Sequence, residues 1–255
     1  MLTTSRKAAD VVYIEKIQDW IKEFLGNPHP KLGRPGIVCP FVPRALRMDT
    51  IKSVVIHTEG LEESQIADLV KSYRTQFLMM EPQQGDLAVY KAILLIFPDI
   101  SGLLEQTAVV DRVQQQLKPF FVEEGLMIGE FHEHNESPGL HNPDFRPLRS
   151  PIPMLAIRFM TESDLPFLSR TSEEPQVRMR YLNAYLQQMS AINKDSKALA
   201  KAHAALQIAQ SQVASVALNA KLVGENSSMP SSRCPVFKLK HLLSQQLHKM
   251  VSRHC

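Results

Sequence analysis

The chain has 255 residues, of which 44% are hydrophobic and 22% charged, the balance of a globular protein that can bury a sizeable core. With 29 basic and 26 acidic residues the formal net charge is only +3, and the sequence has no long lysine and arginine run, so we expect no nucleic-acid partner. No apolar stretch reaches about 18 residues, so we expect no transmembrane segment. The charged start and three cysteines at unrelated spacings favour a cytoplasmic protein with reduced thiols.

Helical and strand patterns alternate through the first half of the chain. Helices are indicated by apolar residues at helical spacing, and strands by short β-branched or continuously apolar runs between turn residues. The second strand is apolar throughout, which predicts a central strand covered on both faces. The predicted elements are a helix over 8–25, a Pro- and Gly-rich loop over 26–43, a strand over 51–58, a helix over 61–80, a strand over 87–97 and a helix over 103–125.

The second half begins with two further strands, predicted over 126–132 and 154–160, with a long polar loop between them. A helix opening with "ESDLPFLSR" is expected to continue past Pro175. Because helices lie between successive strands, the order predicts an α+β fold, a mixed β-sheet flanked by helices. Parallel neighbours in this sheet are expected to be joined by right-handed crossovers.

A helical C-terminal extension completes the predicted fold. Ten alanines over 191–220 favour a helix, which we expect to lie against the domain or against a second subunit. A linker over 224–235 leads to a basic amphipathic helix, interpreted as a docking or dimer helix, with attachment to a membrane surface as the alternative. The sequence therefore predicts an α/β domain over 1–190, an extension over 191–255 and a homodimer formed through this tail.

Histidines are concentrated where the third strand enters the polar loop, in "FHEHNESPGLHNPD". The strand that enters the loop carries this motif, so His132 and His134 are expected to project from one face and Glu133 from the other. Together with His141 they are candidate ligands for Fe²⁺ or Zn²⁺. The alternative is that each is a hydrogen-bonded structural histidine.

The following stretch, "RPLRSPIPMLAIRF", combines arginines with a stiff backbone. Arg146 and Arg149 are three positions apart, and Arg158 lies in the next strand. Because the planar guanidinium group suits carboxylates and prolines restrict φ, the stretch is a candidate carboxylate-binding site. The alternative is that Arg146 and Arg149 pair with Asp144, Glu133 or Glu136 and only brace the loop.

Cys39, in "CPF", has two interpretations, a thiolate near a metal or haem iron, or a buried and inert cysteine. Other chemistries find no support, because the sequence has no G-x-G-x-x-G after a strand, no Walker A motif, no G-x-S-x-G and no C-x-x-C.

These motifs together resemble the YqcI/YcgG family of bacterial proteins and a sister group of uncharacterised bacterial domains. The resemblance covers about residues 26–170 and is carried by "CPFVPRAL", "FHEH", "RPLRSPIPMLAIRF" and "ESDLPFL". It implies a haem-dependent oxygenase that hydroxylates nitrogen on an amine or amino-acid-like substrate in natural-product metabolism, with O₂ and an electron donor. It further implies that His132 is the proximal iron ligand, that Arg149 pairs with a haem propionate and that Cys39 lies near the pocket.

Three functional hypotheses follow from the sequence. The first is a haem-dependent monooxygenase, in which Arg146 and Arg158 add to the cationic surroundings of the propionates. The second is a non-haem iron or zinc enzyme built on His132, His134 and His141. The third is a non-enzymatic binding or assembly protein that acts through its helical tail.

Overall fold

The structure is a computed structural model that describes residues 2–192 and 196–226. Its helices, in chain order, are α1 (Leu2–Trp20), α2 (Val42–Arg47), α3 (Glu63–Met79), α4 (Gly102–Glu105), α5 (Arg112–Val122), α6 (Leu165–Leu168), α7 (Pro175–Ile192) and α8 (Lys197–Asn226). Its strands are β1 (Ile51–Val55), β2 (Ala92–Ile96), β3 (Leu126–Phe131) and β4 (Met154–Phe159). Two π-helical segments, Ile21–Leu25 and Gln106–Asp111, directly continue α1 and α4. Short 3₁₀ turns lie at Ala88–Tyr90 and Glu162–Asp164.

The four strands form one mixed sheet in the order β1-β2-β4-β3. β1 and β2 are parallel, whereas β4 is antiparallel to both of its neighbours, β2 and β3. In the register of the sheet, Val55 pairs with Ile96, Ile96 with Met154, and Met154 with Phe131. The predicted α+β fold with a mixed sheet is therefore confirmed, and β2 is the interior strand that its apolar sequence predicted.

Helices cover both faces of the sheet because alternate residues of β2 and β4 point to opposite sides. Ile93 and Leu95 face a core formed with α3 and α5. Leu94, Ile96 and Met154 face a second core that α1 and α2 complete. Burial on both faces explains why β2 reads as a continuous apolar run rather than an alternating one.

A third core lies beside the start of β3 and the end of β4 and is built mainly from α6, α7 and the first turns of α8. Tyr185 is fully buried there, and its hydroxyl donates to the carbonyl oxygen of Glu162 at 2.8 Å. Burial raises the pKa of Tyr185 to about 12, and the charges of Glu162 and Asp164 add to the effect. Leu199 and Ala202 of α8 are also buried in this core.

Several boundaries differ from the prediction for local physical reasons. The predicted strand over 87–97 begins only at Ala92, because its first residues form a 3₁₀ turn. The predicted loop over 26–43 ends in α2, which has a proline in its first turn, where the missing N–H group costs nothing. The helix expected to run past Pro175 is interrupted, since α6 ends at Leu168 and Pro175 starts α7.

The chain divides into two compact units, Met1–Gln210 and Ser211–Cys255. In the second unit the described residues, 211–226, are helical, and the predicted basic helix after the linker lies outside the described residues. Within the part of the chain that is described, no helix combines the length and apolar character needed to cross a bilayer.

Candidate functional site

Three strands end at the same edge of the sheet, and each is followed by a residue that can carry out chemistry. β1, β2 and β3 run in the same direction, because β4 is antiparallel to both β2 and β3. His57 follows β1, Asp99 follows β2 and His132 follows β3. In α/β sheets this carboxyl edge is where ligands commonly bind. We call it the carboxyl edge below.

His57 joins two carboxylates at one end of this edge. Its Nδ1 lies 3.1 Å from Asp99 Oδ1, and its Nε2 lies 2.9 Å from Asp10 Oδ1 on α1. The backbone N–H group of Thr58 donates to Asp99 Oδ2 at 2.8 Å. These contacts fasten α1 to the sheet, and all three charged side chains are largely buried. We assign this cluster a structural role.

His132 forms the second imidazole–carboxylate pair of the carboxyl edge, with Asp111. Its Nε2 lies 2.9 Å from Asp111 Oδ1, and only 1% of the residue is exposed. The backbone carbonyl of His132 accepts from the N–H groups of Asn135 (3.1 Å) and Ser150 (3.4 Å), which fixes the imidazole in place. Nδ1 is buried and has no hydrogen-bond partner among the residues that the structure describes. Three strand spacings of about 4.8 Å separate the strands that lead into His57 and His132, so the two pairs lie roughly 14 Å apart.

Asp111 opens onto a polar cleft of about 300 Å³, which we call the acidic cleft. Asp111 is the last residue of the second π-helical segment, a rare local structure that is frequent at functional sites. Gln114, one turn later, donates from Nε2 to the carbonyl of Ile128 at 2.9 Å, which ties α5 to β3 beneath the cleft. The cleft is lined by Asp111, Gln114, Gln115, Glu130, Asn135, Glu136 and Ser137.

The carboxyl of Glu130 is electrostatically unusual among the residues of the acidic cleft. Burial raises its pKa above the ordinary value of 4.5, and the charge of Asp111 raises it further, against the opposing effects of Lys118 and Arg170. Burial is thus the main reason that this carboxyl is harder to ionise, and the neighbouring charge of Asp111 adds to it.

We predict that Glu130→Gln stabilises the protein near pH 7. Between pH 4.5 and the raised pKa, the folded state holds a proton that the unfolded state has lost, so the stability of the parent chain falls as the pH rises through this window. The amide has no such dependence, so the melting temperature of the variant relative to that of the parent chain should rise on going from pH 4 to pH 7. Glu15→Gln, an exposed change on α1, is the matched control and should show no gain.

The loop arginines pair with an acid of the same loop. Arg146 Nε donates to Glu136 Oε2 at 2.9 Å, while Arg149 donates to Glu136 Oε1 and, through Nε, to the carbonyl of Asn135 at 3.1 Å. Hydrogen bonds from Arg146 lower the pKa of Glu136, and Arg149 adds to this effect. Of the two interpretations of these arginines, loop bracing is the one that matches these contacts.

Arg158 and Cys39 lie away from the acidic cleft. Both guanidinium NH₂ groups of Arg158 bind the buried carboxylate of Asp164, at 2.7 and 2.6 Å. Burial acts to lower the pKa of Arg158, but the hydrogen bonds and charge of Asp164 prevail and raise it. Cys39 is half-buried near Arg158, packs against the core under α1 and forms no disulfide within the described residues.

His132 and His134 do not lie on one face of a strand, as the sequence pattern predicted. β3 ends at Phe131, and Glu133 and His134 form a turn, so the expected alternation of His132 and His134 on one face is wrong. The strand ends there because the chain turns back, with the N–H group of His132 bonded to the carbonyl of Leu148 at 3.3 Å. His134 is half-buried and His141 is exposed.

The loop over 132–151 packs against the earlier Pro- and Gly-rich loop. Gly33 has a φ of +76°, and a Cβ atom there would lie 2.6 Å from the carbonyl oxygen of His141, so only glycine fits. Asn142 Nδ2 donates to the carbonyl of Lys31 at 2.9 Å, and the rings of His29 and Phe145 stack at 4.7 Å. The two loops thus hold each other, which gives the residues near the carboxyl edge a defined backbone.

A second, more open cleft of about 510 Å³ lies beside α1 and the end of this loop. We call it the Trp20 cleft. It is lined by Lys16, Trp20, Glu133, Arg149, Ser150 and Pro151.

The residues expected to hold a cofactor do not fit a porphyrin in this arrangement. His132 Nε2 is occupied by Asp111, and Arg146, Arg149 and Arg158 are paired with acidic side chains. Neither the acidic cleft nor the Trp20 cleft is lined by His132, Cys39 or Arg158. Among the described residues, no group of three or more His, Cys, Asp or Glu side chains is placed to hold a metal ion.

Asp111, Glu130, Lys16 and Trp20 did not stand out in the sequence. Asp111 and Glu130 lie inside segments predicted as a helix and a strand, and Lys16 and Trp20 lie inside the first predicted helix, where nothing in the sequence sets them apart. A usable signal was the position of His57, Asp99 and His132, each at or within two residues of the end of a predicted strand. If the three strands are taken to be parallel, these residues are expected to lie together at one edge of the sheet, which is the carboxyl edge.

The fold and the carboxyl edge together define an α+β domain with a polar candidate site beside its third strand. Residues 14–199 match the family model described as "Domain of unknown function (DUF6875)". Because this match covers more than half of the chain, the protein belongs to the DUF6875 family. The match includes both clefts. No curated protein and no solved structure matches the chain.

Proposed function

We propose that this protein binds a small molecule carrying a protonated amine in the acidic cleft, where Asp111, oriented by His132, receives the ammonium group. The observation that carries the proposal is the 2.9 Å contact between His132 and Asp111 at the wall of the cleft. A buried imidazole held by backbone contacts fixes the carboxylate and gives it a neighbour with which a proton can be shared.

The charges of the cleft favour Asp111 over the other carboxyl groups. Glu136 is already paired with two arginines, and the raised pKa of Glu130 reduces its tendency to carry a charge. Asp111 is bonded to the His132 imidazole, and a quarter of its side chain is exposed to a ligand. The amides of Gln115 and Asn135 add polar groups that can orient a bound amine.

An amine is also the substrate class that the resemblance to the YqcI/YcgG family implies. Oxygenase activity, the haem and the non-haem metal remain predictions, and the proposal involves no step through any of them. Haem binding is tested by the absorption spectrum of the purified protein after addition of haem. A Soret band that is lost in His132→Ala would support it, and the absence of a band would contradict it.

The proposed amine site predicts that Asp111→Asn loses amine binding. Calorimetric titration with short primary amines, and with alcohols of the same length, should show binding of the amines alone. Because a hydrogen bond to a charged group contributes about 1.5–3 kcal/mol, the variant should bind amines at least about tenfold more weakly. Asp68→Asn, an exposed change on α3, is the control and should leave the affinity unchanged.

Equal binding of amines and alcohols by the parent protein would overturn the proposal. So would an Asp111→Asn variant that retains the parent affinity while its circular dichroism shows a native fold. His132→Gln adds a second measurement, since loss of the orienting imidazole should weaken amine binding without removing the Asp111 carboxylate.

A further inference from the structure

The two walls of the Trp20 cleft come from distant parts of the chain. Lys16 and Trp20 are four residues apart on α1, so they lie on the same side of that helix. Arg149, Ser150 and Pro151 form the opposite wall, where the β3–β4 loop returns to the sheet. A volume of about 510 Å³ lies within the range of small-molecule sites.

We propose that the Trp20 cleft is a second ligand site, for a small carboxylate that carries a flat apolar group. The lining contains two cationic side chains, Lys16 and Arg149, and one anionic side chain, Glu133. Glu136, which is bonded to Arg149, is shared with Arg146, so these groups together keep a positive charge that favours an anionic ligand. Trp20 and Pro151 provide flat apolar surfaces in the same cleft. The site is distinct from the acidic cleft, whose lining favours the opposite charge.

Arg149 retains donors for such a ligand. A guanidinium group has five N–H donors, and the contacts of Arg149 within the described residues are to Asn135 and Glu136. These contacts hold the side chain through Nε and Nη2, and they leave three of its five N–H groups for a ligand in the cleft that Arg149 lines. An arginine that is already oriented in this way loses less conformational entropy on binding a carboxylate.

Trp20 is held in a fixed orientation as well. Its ring stacks on Phe24 at a centroid distance of 5.7 Å and meets Phe131 edge-on at 5.9 Å. The residue is nevertheless half-exposed, so part of the indole remains available to a ligand. A rigid aromatic surface beside two cations suits a flat ring with a carboxylate substituent.

The chain contains a single tryptophan, so its fluorescence reports directly on this cleft. We would titrate the full chain with benzoate, and with benzamide, benzylamine and acetate as probes of charge and ring, at constant ionic strength. Benzoate should change the Trp20 emission in a saturable way. Benzamide and benzylamine should bind about tenfold more weakly or not at all, and acetate should bind weakly because it lacks the ring.

Charge variants sharpen the test. Arg149→Gln should weaken benzoate binding about tenfold and Lys16→Gln by a smaller factor, whereas Glu133→Gln should strengthen it because a like charge is removed. Lys22→Gln, an exposed change of the same charge outside the cleft, should have no effect. Thermal unfolding of each variant verifies that the fold is retained.

Two results would overturn the inference. The first is an emission that responds equally to benzoate and benzamide, which would remove the role of the carboxylate. The second is an affinity for benzoate that falls as much in Lys22→Gln as in Arg149→Gln, or that falls in Glu133→Gln, which would show that net charge and not this cleft governs binding.

Discussion

Asp164→Asn is expected to lower the free energy of unfolding by about 3 kcal/mol, since it removes a buried carboxylate that accepts hydrogen bonds from the half-buried Arg158 and from Thr161 and leaves these donors poorly paired. Asp164 is 1% exposed and accepts two hydrogen bonds from Arg158, at 2.7 and 2.6 Å. It also accepts from the backbone N–H group of Thr161 at 2.7 Å and from the Thr161 hydroxyl at 3.0 Å. An asparagine amide would place N–H groups against some of these donors.

This loss should appear as a fall in melting temperature of roughly 10 °C, measured by calorimetry on the full chain. The cause of the large effect is burial, because the pair fixes the turn between β4 and α6 on which the third core is built. Glu136→Gln is the control, since it also removes a carboxylate bound to arginine, but at an exposed position where ion pairs contribute little. A similar melting temperature for the two variants would contradict this reasoning.

Lys91→Ala is expected to destabilise the fold by about 3 kcal/mol, from a cavity and a lost hydrogen bond. The lysine is 1% exposed, and its Nζ donates to the carbonyl of Met80 at 2.8 Å. The same Nζ lies 4.7 Å from the ring centroid of Phe77 and 5.0 Å from that of Phe159. Lys91 thereby connects the end of α3 to the start of β2. Lys91→Met keeps most of the volume and should recover about 2 kcal/mol of the loss.

The same lysine should give the stability a characteristic pH dependence. Burial lowers the pKa of Lys91 below its ordinary value of 10.5, against a smaller opposing effect of Glu81. Between the lowered pKa and 10.5, the unfolded chain binds a proton that the folded chain does not, so stability contributed by this site rises with pH in that window. Urea unfolding from pH 7 to pH 10 should show the parent chain gaining relative to Lys91→Met. A difference between the two proteins that stays constant would contradict a lowered pKa.

The two clefts give the carboxyl edge and its surroundings opposite charge preferences. Asp111 and Glu130 make one cleft acidic, while Lys16 and Arg149 make the other basic. Glu136 and Arg149 join them, because the acid lines the first cleft, the arginine lines the second and the two side chains are bonded. Exposed ion pairs of this kind contribute little to stability. A ligand bound in either cleft can therefore replace the contact between Glu136 and Arg149 at a small cost in free energy.

The sequence by itself determined the elements and the fold class. Periodicity and apolar runs located β1 to β4 and the helices between them, because a strand covered on both faces needs an unbroken apolar sequence. The sequence also marked the loop from His132 to Pro151 as special, since its prolines, arginines and histidines are unlike the rest of the chain. These properties are local, because they depend only on residues that are close together in the sequence.

Only the tertiary structure decided which side chains meet. His132 is paired with Asp111, 21 positions earlier, and Arg149 shares a cleft with Lys16 and Trp20, far away on α1. The order β1-β2-β4-β3, in which the last strand inserts between the second and the third, brings β1, β2 and β3 to end at one edge. Such contacts join residues that are far apart in the sequence and depend on the path of the whole chain. A local sequence motif therefore does not predict them.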